Sequence, residues 1–301
     1  MKRILIFSSA EEDYAVRLND DFVAELNKRT SDEVHIEWHN YHDIRLVFGS
    51  DKLEAYIQST DTPLSALQFV YFKSYFRYSE QAASVAAYLS SVHVPFVCSE
   101  LTQYMPMTKL TQFTRLALDG APIAPTIYLD RGIFAESYSY LTRELGSPFI
   151  FKSTDGSGGR ENYLVHDKSE LQGALRENPE LQFVAQRFIA NESDLRVLIV
   201  DRTIQLIIKR TRVDGSHLNN TSQGGHADLL PLEQLSPEHQ NLALHAAALM
   251  NREIAGVDLM FEVGTGQPYI LEVNASPQIG SGAFTDEKLK IYSNYFENVL
   301  K

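Results

Sequence analysis

Apolar and polar positions alternate along this chain with two different periods, and the switches between them mark its elements. Residues 3–8 form a short apolar run that predicts a buried strand. Val16, Leu18, Phe22, Val23 and Leu26 then recur at helical spacing, and Val34, Ile36 and Trp38 alternate with polar residues as a strand does. Phe69 to Phe76 is aromatic and β-prone. Ser79 opens a helical stretch through Ala82, Ala83, Val85, Ala86 and Leu89, and Pro95–Cys98 reads as another short strand. Strands alternating with helices predict a small open α/β layer over about the first 100 residues. No Gly-x-Gly-x-x-Gly follows the first strand, so the layer reads as a scaffold or substrate lobe rather than a dinucleotide domain.

From about residue 103 the pattern changes. A helix over Lys109–Leu118 is ended by Pro122 and Pro125, and a strand follows at Thr126–Leu129. Glycine-containing turns then separate β-rich runs at 148–152, 162–166, 183–189, 195–200 and 203–210. A helix from Pro237 to Asn251 and a final strand pair complete an α+β body. There are no repeats and no low-complexity tracts.

Composition narrows the function. At 301 residues the chain suggests roughly two domains. Its 27 basic and 39 acidic residues leave a net charge of −12, which disfavours nucleic acid and anionic membranes as partners. The single cysteine, Cys98, offers neither an internal disulfide nor a cysteine-rich zinc site. The apolar run at the N-terminus is too short for a secretory signal, and no window approaches a membrane span, so a cytoplasmic location is expected.

Four segments carry candidate chemistry. Val257–Glu262 and Tyr269–Asn274 flank a Gly/Pro turn and predict a hairpin. If the turn centres on residue 265, Asp258 lies opposite Glu272, and Asn274 emerges on the face of Glu272. Three oxygen donors would then converge, the kind of set that magnesium selects. An exposed hairpin edge with ordinary surface acids has the same pattern. Second, the run Phe149–Lys152 ends in a lysine and leads into Gly156, Ser157, Gly158 and Gly159. Backbone N–H groups of such a loop approach phosphate oxygens and the lysine neutralises them, although a plain hairpin turn reads alike and the order is not that of a Walker A loop. Third, Phe183–Ile189 followed by Asp194-Leu195-Arg196 offers strand backbone that an adenine ring pairs with, or simply a strand and loop. Fourth, Lys209, Arg210 and Arg212, then Asn219-Asn220 and Gln223-Gly224-Gly225, form a cationic stretch that grips an oxyanion or makes a solvated face. His217, His226, His239 and His245 lack zinc spacing, and no Gly-x-Ser-x-Gly elbow occurs. The aromatic cluster of Phe69, Tyr71, Phe72, Tyr75, Phe76 and Tyr78 reads as core and lobe interface.

These segments, in this order, resemble the ATP-grasp superfamily, and within it the RimK-type ligases that append glutamate to a ribosomal protein's C-terminus. The strongest matches are Ala255-Gly256-Val257-Asp258 and Leu271-Glu272-Val273-Asn274-Ala275-Ser276-Pro277, with Asp194-Leu195-Arg196, Asn220 and Gln223-Gly224-Gly225 at similar spacings. The resemblance covers roughly residues 100–285 and implies an N-terminal α/β lobe (1–102) with central (103–188) and C-terminal (189–301) α+β subdomains clamping ATP. It also implies that Lys109 and Lys152 contact the α- and β-phosphates, that Gly156–Gly159 close over them, and that Gln186, Arg187 and Phe188 line the adenine pocket. Asp194 would lie near the ribose and Asn220 near the terminal phosphate. Asp258, Glu272 and Asn274 would hold magnesium, with manganese as its substitute, and Arg210 would face the transferring phosphoryl group. Three departures stand out: Arg187 in place of an acidic residue, Leu218 in place of an arginine, and Gln278-Ile279-Gly280-Ser281-Gly282 in place of Gly-Leu and an acidic residue. They sit where substrates bind and argue for a different acceptor.

The expected function is an ADP-forming carboxylate–amine ligase acting through an acyl phosphate on an amino acid, peptide or protein terminus. A precursor-peptide macrocyclase and a non-catalytic ATP-binding regulatory module are the alternatives. The resemblance implies a homo-oligomer, dimer or tetramer.

Overall fold

The computed structural model describes residues 2–50, 53–103, 108–156, 160–212 and 225–300. The first part is β1 (Lys2–Ser8), α1 (Asp13–Arg29), β2 (Val34–His39), β3 (Ile44–Phe48), β4 (Leu53–Ile57), β5 (Thr62–Pro63), β6 (Phe69–Lys73), α2 (Ser79–Ser91) and β7 (Phe96–Val97). Strands β2-β1-β6-β7 form a wholly parallel sheet. Ile4, Leu5, Ile6 and Phe7 are all buried, as expected of a central parallel strand packed on both faces. The aromatic run is core: Phe69, Tyr71, Phe72, Tyr75 and Tyr78 are buried while Phe76 is half exposed. Its strand stops at Lys73 because Ser74 turns to positive φ. The antiparallel meander β3-β4-β5 was not expected from the pattern.

The next part is α3 (Lys109–Asp119), β8 (Thr126–Tyr128), α4 (Tyr138–Leu145), β9 (Phe149–Ser153), β10 (Asn162–Val165), α5 (Lys168–Glu177) and β11 (Phe183–Arg187). Its antiparallel sheet has the order β10-β9-β11-β8 and packs Phe149, Phe151 and Phe183 with Leu141, Leu145, Leu171 and Leu175 of α4 and α5. Helices α4 and α5 are additions to the expected pattern. Helix α5 carried a legible start, since the Asp167 carboxylate accepts a hydrogen bond from the Glu170 N–H at 2.9 Å.

Then come β12 (Ser193–Val200), β13 (Thr203–Thr211), β14 (His226–Leu230), α6 (Pro237–Leu249), β15 (Ala255–Phe261), β16 (Pro268–Asn274) and α7 (Thr285–Asn298). The antiparallel sheet β14-β13-β12-β15-β16 buries Val197, Ile199, Ile207, Val257, Leu259 and Val273 with Ala243, Ala246 and Ala247 of α6. Its edge strand β16 is covered by side chains and loop: the Val273 N–H donates to Gln112 Oε1 at 3.0 Å, the Val273 carbonyl accepts from Arg252, and the Ile270 N–H donates to the Pro122 carbonyl at 2.8 Å.

Helix α7 bridges this sheet and the first one. Leu289, Tyr292, Tyr295 and Phe296 share one core with Leu198 and Val200 of β12 and with Ile4, Phe22 and Phe69, so residues at the end of the expected C-terminal unit 189–301 pack with those of the expected unit 1–102. The Arg252–Glu100 ion pair, 3.2 Å long and almost solvent-free, ties the two regions as well, with Tyr75 donating to Glu100 at 2.7 Å. Among the described residues no helix is long and apolar enough to cross a membrane. Removing one partner of so buried a pair strands the other charge. Arg252→Ala should therefore lower unfolding stability by about 3–5 kcal/mol, read as a reduced urea midpoint.

Candidate functional site

The hairpin β15–β16 sets the centre of the site. Asp258 pairs with Glu272 and Gly256 with Asn274, as a turn centred on residue 265 requires, yet nearer the turn Leu259 pairs with Ile270. Leu271 is the extra residue of a β-bulge. Strict alternation would put Ile270 on the face of Glu272 and Asn274. The bulge turns it into the apolar core while leaving the polar pair on the opposite face.

Register across the sheet brings further charges to that face. Arg196 on β12 pairs with Asp258, and Asp194, two residues earlier, pairs with Arg210 on β13. Both Asp258 oxygens are engaged by Arg196, Nη2 to Oδ2 at 2.8 Å, and Arg210 Nη2 reaches Oδ2 at 3.1 Å. Arg210 Nε donates to Asp194 at 2.5 Å. Asp194, Arg210 and Asp258 are buried, so each charge persists only because opposite charges alternate. Burial opposes ionisation of Asp258, but Arg196 and Arg210 outweigh it and hold the carboxyl below its usual range. Burial raises Asp194, with Asp258 adding to the rise and Arg210 opposing it. Burial works against the Arg210 charge as well, and the two aspartates more than offset it.

The glycine of the Ala-Gly-Val-Asp run has a steric cause. A Cβ on Gly256 would lie 2.9 Å from Arg196 Cδ and 3.1 Å from Pro277 Cβ. The arginine stem crosses the strand there to reach Asp258.

Two lysines approach from other elements. Lys109 opens α3, lies 3.3 Å from the Glu272 carboxylate and donates to the Gly156 carbonyl. Lys152, near the end of β9, is buried over the Phe113 ring and donates to Gln186 Oε1 at 2.9 Å. Burial, with Lys109 nearby, lowers the Lys152 ammonium to about 8 against the pull of Glu272 and Asp258. Lys109, Lys152, Arg210, Asp258 and Glu272 thus meet where the sheets β10-β9-β11-β8 and β14-β13-β12-β15-β16 converge with α3.

Other expected residues stand differently. The Gln186 side chain turns inward, held by Lys152 and by Thr126 at 2.7 Å, so its amide is already engaged. Arg187 is exposed, 3.9 Å from Glu262, and Phe188 is half-buried. Asp194, expected near the ribose, is buried and accepts a hydrogen bond from Arg210, the partner that a buried carboxylate needs. Ser157, Gly158, Gly159 and Asn220 lie outside the described residues. Arg196 was assigned no role in advance; its signal was the two-residue spacing from Asp194, which puts both on one strand face.

The donors at the hairpin suit a hard cation. Asp258, Glu272 and Asn274 offer oxygen ligands, and the cations now on both carboxylates show that the site stabilises positive charge. Among the described residues no three His, Cys, Asp or Glu side chains are grouped so as to hold a metal by themselves.

This architecture is the ATP-grasp fold. The chain superimposes on the ATP-grasp ligase PsnB complexed with a minimal precursor, Mg and ADP with a TM-score of 0.70, at 14% identity over 99% of this chain and 97% of that one. It superimposes equally well on a D-alanine–D-alanine ligase from Bacillus anthracis, TM-score 0.70, at 18% identity over 100% and 95%. Residues 134–292, more than half of the chain, match the RimK-like ATP-grasp domain, and the chain belongs to that family. A probable alpha-L-glutamate ligase of Cellvibrio japonicus is 33% identical over 147 residues, 46% of this chain and 47% of the relative. One of Sodalis glossinidius is 27% identical over 56% of each. The chain thus spans about half the length of these two relatives, and 29% of another from Desulfotalea psychrophila.

Because Gly256 makes room for Arg196, Gly256→Ala should displace the guanidinium from Asp258. Thermal unfolding should register a loss of about 1–3 kcal/mol, typical of overpacking, and an unchanged melting temperature would show that the arginine relocates freely.

Proposed function

We propose that the protein is an ADP-forming carboxylate–amine ligase acting on an amino acid, peptide or protein terminus. The observation that carries this reading is the convergence of two oxygen-donor acids, Asp258 and Glu272, with Lys109, Lys152 and Arg210 from three other elements. Phosphoryl transfer is catalysed by positioning and charge neutralisation, which cations flanking a metal-type carboxylate pair would supply. The relatives' name, probable alpha-L-glutamate ligase, supports an amino-acid substrate.

A carboxylate is a poor electrophile at neutral pH, so amide formation needs a better leaving group. Transfer of the ATP γ-phosphoryl to the carboxylate gives an acyl phosphate; the amine then attacks the acyl carbon, phosphate leaves, and the amine loses a proton. In this reading Lys109 and Lys152 neutralise the nucleotide phosphates, and Arg210 stabilises charge on the transferring group and on the acyl phosphate. Asp258, Glu272 and Asn274 would hold magnesium, which when bound screens phosphate charge and fixes the geometry of the transfer. The enzyme needs no nucleophile of its own. PsnB, solved with precursor peptides, shares the fold over the whole chain, which keeps a peptide acceptor within the reading.

ADP release with ATP, magnesium and pools of amino acids or dipeptides should require a pool and fall on the order of 100-fold in Glu272→Ala. Turnover unchanged in that variant, or AMPPNP binding without turnover in any pool or in cell extract, would count against a ligase.

Lys152 also makes nucleotide binding depend on pH. Its pKa is lowered, so the ammonium is present below about 8 and lost as pH rises through it. AMPPNP affinity should decline above pH 8 by up to about tenfold per pH unit, and Lys152→Arg should flatten the profile.

A further inference from the structure

A second group of cations lies beside the site on the side of α7. A cleft between the β12–β13 face and the segment leading into α7 is lined by Arg196, Arg210, Lys288, Gln278, Leu198 and Ile208, among others. It encloses about 40 Å³, room for a group the size of a carboxylate rather than for a whole small molecule.

Lys288 is the unusual member. It is 4% exposed, and its ammonium donates to the carbonyls of Gln278 at 2.7 Å and Ser281 at 3.0 Å. Two of its three donors are thereby used, and among the described residues no carboxylate lies within ion-pair distance. Glu287, its neighbour in sequence, is exposed. Lys288 also occupies the N-terminal part of α7, where the helix dipole disfavours a cation. Burial, and then the charge of Arg196, lower its pKa to about 8, with Glu287 pulling the other way. The other two cations are already matched: Arg196 and Arg210 share Asp258, and Arg210 also binds Asp194. Counting only groups in ion-pair contact, the three cations meet two carboxylates, and Lys288 is the one with no carboxylate in contact.

A buried lysine in a disfavoured helix position, with only carbonyl partners and a cleft beside it, is what an absent anion would explain. We propose that Lys288 is a specificity-determining residue that holds a non-reacting carboxylate of the amino-acid substrate. The assignment rests on the ligase reading above and extends it. The carboxylate being activated exchanges its charge for an acyl group during the reaction, so a standing cation suits the one that stays ionised throughout. Leu198 and Ile208 supply apolar lining beside the cations. Gln278 lies in the segment where this chain departs from the RimK pattern, which agrees with a substrate grip particular to this protein.

The test uses the full chain saturated with AMPPNP and magnesium, titrated calorimetrically with L-glutamate and with its two monoamides, glutamine and isoglutamine. Wild type should bind L-glutamate and lose at least about tenfold in affinity toward one monoamide, the one lacking the held carboxylate. Lys288→Met should weaken L-glutamate by a similar factor and erase the discrimination, while Lys288→Arg should retain it and AMPPNP affinity should stay constant. A purely structural lysine would not alter the ratio between an acid and its amide. Should Lys288→Met fold poorly, the monoamide comparison in wild type still decides. Equal binding of all three compounds, no binding of L-glutamate to the nucleotide-loaded protein, or full discrimination in Lys288→Met would overturn the proposal. Lys288-dependent discrimination in a protein that releases no ADP would uphold the pocket and sink the ligase reading instead.

Discussion

Asp258 is the anion on which the charged face of the large sheet depends. It stands between Arg196 and Arg210, and Arg210 in turn stands on Asp194, so four ionised side chains alternate in sign across three strands. Take Asp258 away and two guanidinium groups face each other in a largely buried setting, where their repulsion is poorly screened. Several local features follow from this arrangement. Gly256 lacks a side chain because the Arg196 stem passes over it, and Leu271 bulges because Glu272 must face Asp258 while Ile270 faces the core. The same alternation keeps charge concentrated on a face that an apolar sheet would have closed.

How much of this was legible follows the range of the interactions. Strands and helices with a strong period, such as β1, α1, α2, α3 and α6, are readable because each buries one continuous apolar stripe. The meander β3-β4-β5 was missed although Ile44–Phe48 and Leu53–Ile57 are β-rich, because nothing local marks them as a separate small sheet. The facing of Asp258 and Glu272 was readable by counting from the turn. The bulge that sustains it was not, since the demand for it comes from Ile270 packing under α6 and α3. The inward turn of Gln186 toward Lys152 and the sealing of Asp194 under Arg210 were equally hidden. Both depend on register between strands far apart in the chain, which a one-dimensional pattern does not carry. The family resemblance supplied the motif residues but not Lys288, which lies beyond the matched motifs.

Convergence of elements gives the site its shape. Lys152 comes from the sheet β10-β9-β11-β8, Glu272 from the edge of the five-stranded sheet, and Lys109 from the helix between them. Gln112 fixes that helix to the edge strand through the Val273 N–H, one turn beyond Lys109. The lysine–glutamate contact therefore joins two bodies whose relative position is also held by backbone-directed hydrogen bonds, and a shift of one sheet changes the electrostatics of the whole cluster.

Helix α7 gives the molecule a closed topology. The parallel sheet built from the first strands shares its core with Leu289, Tyr292, Tyr295 and Phe296, and Arg29 pairs with Asp286 across the same contact. During synthesis that sheet is made before residues 285–298, so the core it shares with α7 has one of its walls missing until the helix has left the ribosome.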